Sequence, residues 1–262
     1  MIPLFRKIRK KMADDNRPLQ YMRYAIGEIL LVMVGILLAL QVNNWNNQRS
    51  ERKLEVKYLQ GIKADLQVDL INLKTFIDDK ELKYRSAAHL LKIDAPQTIA
   101  EIGALDSIIW NVFGWVRYDQ STNTLDELIG SGNLSLIKND YIKSMIQNIK
   151  QRNISVQGSV AHMRREYDYY LYDRSAALRE MAPLIDMIES MKHNKRILKN
   201  ALDEAQMNVF RKQSHVILND LIFRNGLKLA IGNNLGMQRD CLTLYADVEK
   251  LIATIDEELG EQ

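Results

Sequence analysis

The sequence feature that most limits the fold is an apolar segment near the start of the chain. Residues 25–42 contain only two strongly polar side chains, Glu28 and Gln41, and no lysine or arginine interrupts them. A helix of these 18 residues would be roughly 27 Å long at about 1.5 Å per residue, close to the ~30 Å hydrocarbon layer of a bilayer. Apolar runs in soluble core helices are usually shorter, about 10 to 14 residues. The segment therefore predicts a single transmembrane helix over residues 24–45.

The amino acids of this segment favour insertion into a bilayer. Its eleven leucine, isoleucine and valine side chains together contribute about −3 to −7 kcal/mol. A charged side chain at the centre of such a helix costs on the order of 2.5–3.5 kcal/mol, and Glu28 lies near one end, where the cost is lower. Tyr24 and Trp45 flank the segment, as residues of an aromatic belt do. The free energies predict that the helix inserts.

A cleaved signal peptide is the competing interpretation of an apolar segment at this position. Such a peptide ends in a small-x-small cleavage pattern, whereas Leu40 is followed by the sequence QVNNW. The basic leader before the segment is also long for a signal peptide. The sequence therefore favours an uncleaved signal anchor.

Basic residues are concentrated before the apolar segment. Residues 1–23 contain seven basic and two acidic side chains, whereas the whole chain of 262 residues has a formal charge of only +3. The excess belongs to this leader and does not indicate a nucleic-acid-binding surface. By the positive-inside rule, residues 1–23 form a basic cytoplasmic leader, and residues 46–262 lie on the opposite side of the membrane. Four basic residues after the segment moderate this contrast: Arg49, Arg52, Lys53 and Lys57.

One stripe of the predicted transmembrane helix contains its acidic residue and its small residues. Heptad steps place Glu28, Val32, Gly35, Ala39 and Val42 on the same side, and Gly35 and Ala39 form a small-xxx-small pair. We keep three interpretations of the carboxyl group open: it extends to the lipid headgroups, it holds two helices together, or it couples the helix to proton or ion movement. Glu28, Gly35 and Ala39 are the candidate association residues.

The remainder of the chain predicts helices. Between Leu59 and Ile77 apolar residues recur every three or four positions, and no stretch of useful length shows the alternation of a β-strand. We expect an all-α protein in which one N-terminal transmembrane helix precedes an elongated antiparallel helical-bundle ectodomain. The first ectodomain helix, over about residues 46–92, would form a stalk.

Capping residues, glycines and a proline mark the boundaries of the later helices. These helices are predicted over about residues 99–113, 125–129, 140–182, 184–205 and 210–259. The capping boxes Thr98/Glu101 and Thr124/Glu127 begin the first two helices, and Asn139 begins the third. The remaining signals are the stop Gly130-Ser131-Gly132, the break at Pro183, and a bend or break at Gly226, Gly232 and Gly236.

No pattern of catalytic or metal-binding residues is apparent. The four histidines, His89, His162, His193 and His215, are widely separated and have no paired-ligand spacing. The chain has no G-x-S-x-G nucleophile motif, and its Gly-Ser-Gly triplet lacks the lysine of a phosphate-binding loop. Cys241 is the only cysteine and is expected to be a small buried apolar residue. We expect no enzyme activity, catalytic residue, cofactor or metal.

Two groups of aromatic residues are the remaining candidates for function. Trp110 and Trp115 lie at the end of one predicted helix and in the loop after it, and Tyr167 and Tyr170 lie on the long helix. A continued helical period places Tyr167, Tyr170, Arg174 and Leu178 on one face of that helix. The aromatic side chains could form an interface or line a ligand pocket, since Trp, Tyr and Arg dominate binding hot spots. The alternative is that they pack in the core.

Two stretches of the chain resemble a known family. They are YAIGEIL followed by GILLALQVNNWN (residues 24–30 and 35–46), and LDELIGSGNLSLIKN (residues 125–139), with FRKIR at residues 5–9 also similar. The chain resembles the DUF6090 family of uncharacterised single-pass proteins of Bacteroidetes-type bacteria. The resemblance implies a bacterial inner-membrane protein with a helical periplasmic domain, and it implies no catalytic residue.

These observations lead to two functional hypotheses. The first is a non-enzymatic protein-interaction or scaffold module, held in the membrane by its span. The second is a ligand-sensing or accessory subunit of a membrane complex, coupled through the span. The expected partners are the lipid bilayer, a second copy bound through the span, and an unidentified membrane or periplasmic protein, with no nucleic acid.

Overall fold

The computed structural model describes residues 18–180 and 203–260, and all regular structure in these residues is helical. The all-α prediction is confirmed. The packing of the chain divides it into two units, Met1–Lys57 and Tyr58–Gln262. The helices are α1 (Pro18–Leu90), α2 (Ile99–Phe113), α3 (Asn123–Gly130), α4 (Asp140–Glu166), α5 (Asp173–Leu178), α6 (Glu204–Asn219) and α7 (Leu221–Leu259), with a 3-10 turn at Asn133–Leu136 and a π-helical segment at Tyr167–Tyr172.

The described part of the first unit is the helical stretch of residues 18–57, which belongs to α1. The apolar segment predicted to cross a membrane lies within it. None of its side chains is buried.

In the second unit, residues 58–90 of α1 form a core helix. Their inward positions alternate steps of three and four, so one continuous row of side chains faces the other helices. The row comprises Leu59, Ile62, Leu66, Asp69, Leu73, Phe76, Lys80, Lys83, Ala87 and Leu90, each at most 5% exposed. This part of α1 is therefore a bundle helix rather than the expected stalk.

The predicted capping box of α2 is confirmed. The Thr98 hydroxyl accepts a 3.2 Å hydrogen bond from the Glu101 backbone N–H, and the Glu101 carboxylate accepts one of 3.2 Å from the Thr98 N–H. Two N–H groups at this helix end are thereby satisfied. The helix runs over residues 99–113, as its local signals predict.

The predicted start of α3 is wrong by two residues, and its cap is different. The helix begins at Asn123, and the backbone N–H of Thr124 donates a 2.7 Å hydrogen bond to the carboxylate of Asp65 in α1. A carboxylate from another helix thus replaces the expected Thr124 cap. The predicted stop is confirmed: α3 ends at Gly130, and Gly132 has φ +72°, which glycine adopts without strain.

The long fourth helix changes its pitch where the sequence predicted one continuous face. Asn139 caps it as expected, accepting hydrogen bonds from the N–H groups of Tyr141 and Ile142. The π-helical segment then adds a residue to one turn, so the residues after Tyr167 rotate relative to the α-helical prediction. The buried positions become Leu171, Ser175 and Arg179, whereas the predicted Tyr170, Arg174 and Leu178 are only half-buried.

The last predicted helix is divided, but not at its glycines. Asp220 separates α6 from α7, and its carboxylate caps α7 by accepting a 2.9 Å hydrogen bond from the Phe223 N–H. The same carboxylate binds the Arg174 guanidinium at 2.9 and 2.5 Å. All three predicted break points, Gly226, Gly232 and Gly236, lie inside the unbroken α7. Pro183, His193 and most of the predicted helix 184–205 lie outside the described residues.

Candidate functional site: an exposed apolar segment and a buried lysine pair

The apolar segment of α1 exposes every one of its large side chains. Their exposed fractions lie between 46% and 71%, on all sides of the helix. A helix that is apolar on all sides is favoured in an apolar environment. Each Å² of apolar surface removed from water contributes about 25 cal/mol of stabilising free energy. The helix is long and apolar enough to cross a membrane. The residues are Ile26, Ile29, Leu30, Leu31, Val32, Met33, Val34, Ile36, Leu37, Leu38, Leu40 and Val42.

The candidate association residues lie in this same segment. Gly35 and Ala39 are exposed, and a Cβ atom built on Gly35 would meet no atom within 4 Å. Glu28 is half-buried and has an interaction within the described part of the chain. No other described part of the chain therefore covers the small residues of this stripe.

The second unit contains two buried lysines that the helical pattern did not single out. Lys83 is 0% exposed, and its ammonium donates hydrogen bonds to the backbone carbonyls of Val112, at 3.1 Å, and of Gly114. The Tyr172 hydroxyl donates a 2.8 Å bond to the carbonyl of Phe113 between them. Helix ends leave such carbonyls unsatisfied and negatively polarised, so a cation is well placed there. Burial lowers the pKa of Lys83 to about 8.

The ammonium of Lys80, one turn before Lys83, is held by a carboxylate and by aromatic rings. It lies 2.8 Å from the Asp79 carboxylate, 4.1 Å from the Phe76 ring centre and 5.6 Å from that of Trp115. A buried ammonium needs such partners, since its transfer from water is otherwise costly. Both buried ammonium groups thus have hydrogen-bonding, ionic or aromatic partners, and they stabilise the packing of α1 against the end of α2 and the residues after it.

The structure brings two of the four predicted interaction aromatics together. Trp115 and Tyr167 make an edge-to-face contact at 5.8 Å, and Tyr167 is only 1% exposed. Tyr170 packs edge-to-face on Tyr169 at 4.9 Å, and Trp110 has 36% of its surface exposed. Trp115 and Tyr167 therefore belong to the interior around the lysines, whereas Trp110 is accessible.

A second buried polar pair joins α1 to the segment after α2. The Tyr118 hydroxyl lies 3.1 Å from both carboxylate oxygens of Asp69, and the two residues are 3% and 0% exposed. Desolvation outweighs this hydrogen bond and raises the pKa of Asp69 to about 6. Burial likewise raises the pKa of Tyr118. The Tyr118 hydroxyl therefore keeps its proton and donates the hydrogen bond to the Asp69 carboxylate. Asp69 was also absent from the sequence prediction, because an aspartate on a helix is usually solvated.

The lone cysteine occupies the core, as expected from its neighbours. Cys241 is buried in α7, and burial raises the pKa of its thiol to about 12. A thiol in such surroundings is a poor nucleophile. Over residues 18–180 and 203–260, no three histidine, cysteine, aspartate or glutamate side chains are placed to hold a metal ion.

The surface of the second unit contains a groove between α4 and α7. Its volume is about 530 Å³, and half of its lining residues are small: Ser155, Gly158 and Ser159 of α4 and Gly232 and Gly236 of α7. Cβ atoms built on these three glycines would meet nothing within 4 Å. The groove has the volume of many small-molecule sites.

Comparison with known proteins identifies one family. A model described as "Family of unknown function (DUF6090)" matches residues 28–175, more than half of the chain. The matched region includes most of the apolar segment, both buried lysines and the Asp69–Tyr118 pair. No curated protein and no solved structure matches the chain.

Proposed function

Because this chain belongs to the DUF6090 family, which carries no assigned activity, we propose that it is a membrane-anchored protein-interaction module. The observation that carries the proposal is the apolar surface of residues 25–42. No other described part of the chain covers this surface, and a bilayer would cover it. The basic leader orients the N-terminus to the cytoplasm, and the helical domain then lies in the periplasm of a bacterial inner membrane.

A row of exposed leucines on α7 supports the interaction role. Leu221, Leu235 and Leu242 are 71%, 50% and 51% exposed and fall at multiples of seven residues, so they lie along one side of the helix. Leu235 and Leu242 are one heptad apart, whereas Lys228 occupies the position between Leu221 and Leu235. Exposed apolar side chains on one side of a helix offer a surface to a protein partner. The buried lysines and Asp69, by contrast, have structural partners that account for them. We propose that this leucine row of α7 binds a membrane or periplasmic protein.

Membrane integration is tested by alkaline extraction and density flotation of the full-length chain. We expect the wild type to remain with the lipid and the double variant Leu31→Lys with Leu38→Lys to be released. The matched control, Leu235→Lys with Leu242→Lys, places the same two charges at similarly exposed leucines of α7 and should remain with the lipid. Release of the wild type would refute the proposal.

The interaction role is tested by crosslinking in membranes, purification and identification of the partners. We expect Leu235→Glu with Leu242→Glu to lose a partner that the wild type retains. The control Val209→Glu with Val216→Glu changes two α6 residues that are also seven positions apart and 43% exposed each. Equal recovery of the partner with both double variants would refute the claim that the leucine row of α7 binds it.

The α4/α7 groove favours a second candidate, a ligand-sensing subunit of a membrane complex. Its volume of about 530 Å³ lies within the range of small-molecule sites. We would measure thermal unfolding of the full-length protein with amino acids, sugars and nucleotides. A stabilising compound whose effect disappears in Gly236→Leu, but persists in Gly130→Ala outside the groove, would favour this second function.

A further inference from the structure

We propose that Trp45, Arg49 and Lys53 form a binding site for the phosphate headgroups of anionic phospholipids. The inference rests on the proposed membrane insertion of α1 and adds a lipid class to it. The three residues follow the apolar segment directly, are all exposed and are spaced four residues apart. We call them the juxtamembrane stripe.

The cations of this region are separated from its acidic residues around the helix. At about 100° per residue, Trp45, Arg49, Lys53 and Lys57 cover an arc of roughly 120°. Glu51 and Glu55 fall on the other side of the helix, and Glu55 is 1% exposed and pairs with Arg52 at 2.7 Å. The juxtamembrane stripe therefore presents positive charge that the acidic residues do not neutralise.

The height of each residue above the apolar segment matches a headgroup layer. Relative to Trp45, the Cα of Arg49 lies about 6 Å further along the axis, that of Lys53 about 12 Å and that of Lys57 about 18 Å. The polar layer on each side of the hydrocarbon is about 5–8 Å thick. Helical side chains lean towards the N-terminus, here towards the bilayer, and long basic side chains extend to the interface. The side chains of Arg49 and Lys53 thus reach the phosphates, and the side chain of Lys57 reaches only the outer edge of the phosphate layer.

The neighbouring residues favour lipid over a protein carboxylate. Trp45 is 62% exposed at the boundary of the apolar segment, where indole rings sit among headgroups. Within the part of the chain that the structure describes, no carboxylate forms an ion pair with Arg49, Lys53 or Lys57. A planar guanidinium binds a phosphate through two hydrogen bonds, and an ammonium adds charge beside it.

The experiment measures lipid selectivity of the full-length protein reconstituted into phosphatidylcholine vesicles. Spin-labelled phosphatidylglycerol and spin-labelled phosphatidylcholine are compared by electron paramagnetic resonance, which gives their relative association constant at the protein surface. We expect selectivity for phosphatidylglycerol that falls up to about fivefold per cation removed in Arg49→Gln and Lys53→Gln, less in Lys57→Gln, and that weakens with salt. Arg49→Lys should retain most of it. Lys92→Gln, with the same change in charge at an exposed residue after α1, should leave it unchanged.

The outcomes separate this inference from the proposed function. If the wild type fails to enter phosphatidylcholine vesicles, both are wrong. If it inserts but shows equal affinity for the two lipids, or if the double variant Arg49→Gln with Lys53→Gln keeps the selectivity, the lipid site is refuted while membrane anchoring stands. Loss of selectivity in Lys92→Gln to the same extent would show a non-specific charge effect and would also refute the site.

Discussion

Lys83 of α1 donates a 3.1 Å hydrogen bond to the carbonyl of Val112 in α2, across 29 positions of the chain. The Lys83 ammonium thus caps the C-terminus of α2, a helix other than its own. Tyr172 does the same for the neighbouring carbonyl of Phe113. The C-terminus of α2 is therefore completed by two distant parts of the chain, and the three segments stabilise one another.

Replacing Lys83 by methionine should destabilise the helical domain. The variant keeps the apolar stem but leaves buried carbonyls without a donor, which costs about 2–4 kcal/mol of unfolding free energy. Chemical denaturation of the full-length protein in detergent, followed by circular dichroism, measures the loss. Lys74→Met is the matched control, because Lys74 is 60% exposed and its pair with Asp78 is a surface pair. Equal destabilisation by the two variants would contradict the role of Lys83.

The Asp69 carboxyl should make stability depend on pH in an unusual direction. Its pKa is raised from 3.8 to about 6 in the folded state, so the folded chain holds this proton more tightly than the unfolded chain. Unfolding free energy relative to Asp69→Asn should therefore fall as pH rises from about 4 to 7, by on the order of 2 kcal/mol, with most of the loss below pH 6. Denaturation curves of both proteins at pH 4, 5, 6 and 7 test this. A constant difference between them would show that the pKa is not raised.

Gly226 should be the least replaceable glycine of α7. A Cβ atom there would lie 2.7 Å from Cβ of Tyr170 and 2.9 Å from Cδ2 of Leu171, so α7 and the π-helical segment would have to separate. We expect Gly226→Ala to cost about 1–3 kcal/mol of unfolding free energy. Gly232→Ala, in the same helix with open space around it, should instead stabilise by about 0.5–1 kcal/mol. If both changes had the same sign, the proposed close approach would be wrong.

Self-association through the span should depend on Gly35 and Ala39. Leucine at either position would keep two helices apart along that stripe, so crosslinked dimer should decrease severalfold in membranes. Gly27→Leu adds the same side chain outside the stripe, also where nothing lies within 4 Å. Crosslinking yield on a denaturing gel is the measurement. A yield that Gly35→Leu leaves unchanged and Gly27→Leu reduces would assign the contact to the other side of the helix.

Features with local causes could be predicted from the sequence. The apolar segment can be recognised from its composition alone. The caps at Thr98 and Asn139 can be recognised because each side chain lies within three residues of the N–H groups that it binds. The absence of β-alternation indicated an all-α fold. Family resemblance rested on residues 24–30, 35–46 and 125–139, with residues 5–9 also similar. The match over residues 28–175 includes all of these except residues 5–9 and 24–27.

Features with distant causes could not be predicted. Lys83 and Asp69 occupy core positions because Val112, Gly114 and Tyr118 satisfy them, and these partners lie 29 to 49 positions away. Nothing local distinguishes such residues from solvated ones. Asp220 combines both kinds of cause: its cap on the N–H of Phe223 is local and typical of an N-cap aspartate, whereas its pair with Arg174 joins residues 46 positions apart.

The π-helical segment Tyr167–Tyr172 makes the number of residues between its neighbouring helices a structural constraint. Deleting a single residue there would let an ordinary helix run through, but would turn everything downstream by about 100°. Leu171 and Ser175 would then leave the interior, and Arg179 would swing away from Asp106. Among natural relatives we therefore expect hardly any insertion or deletion in this segment.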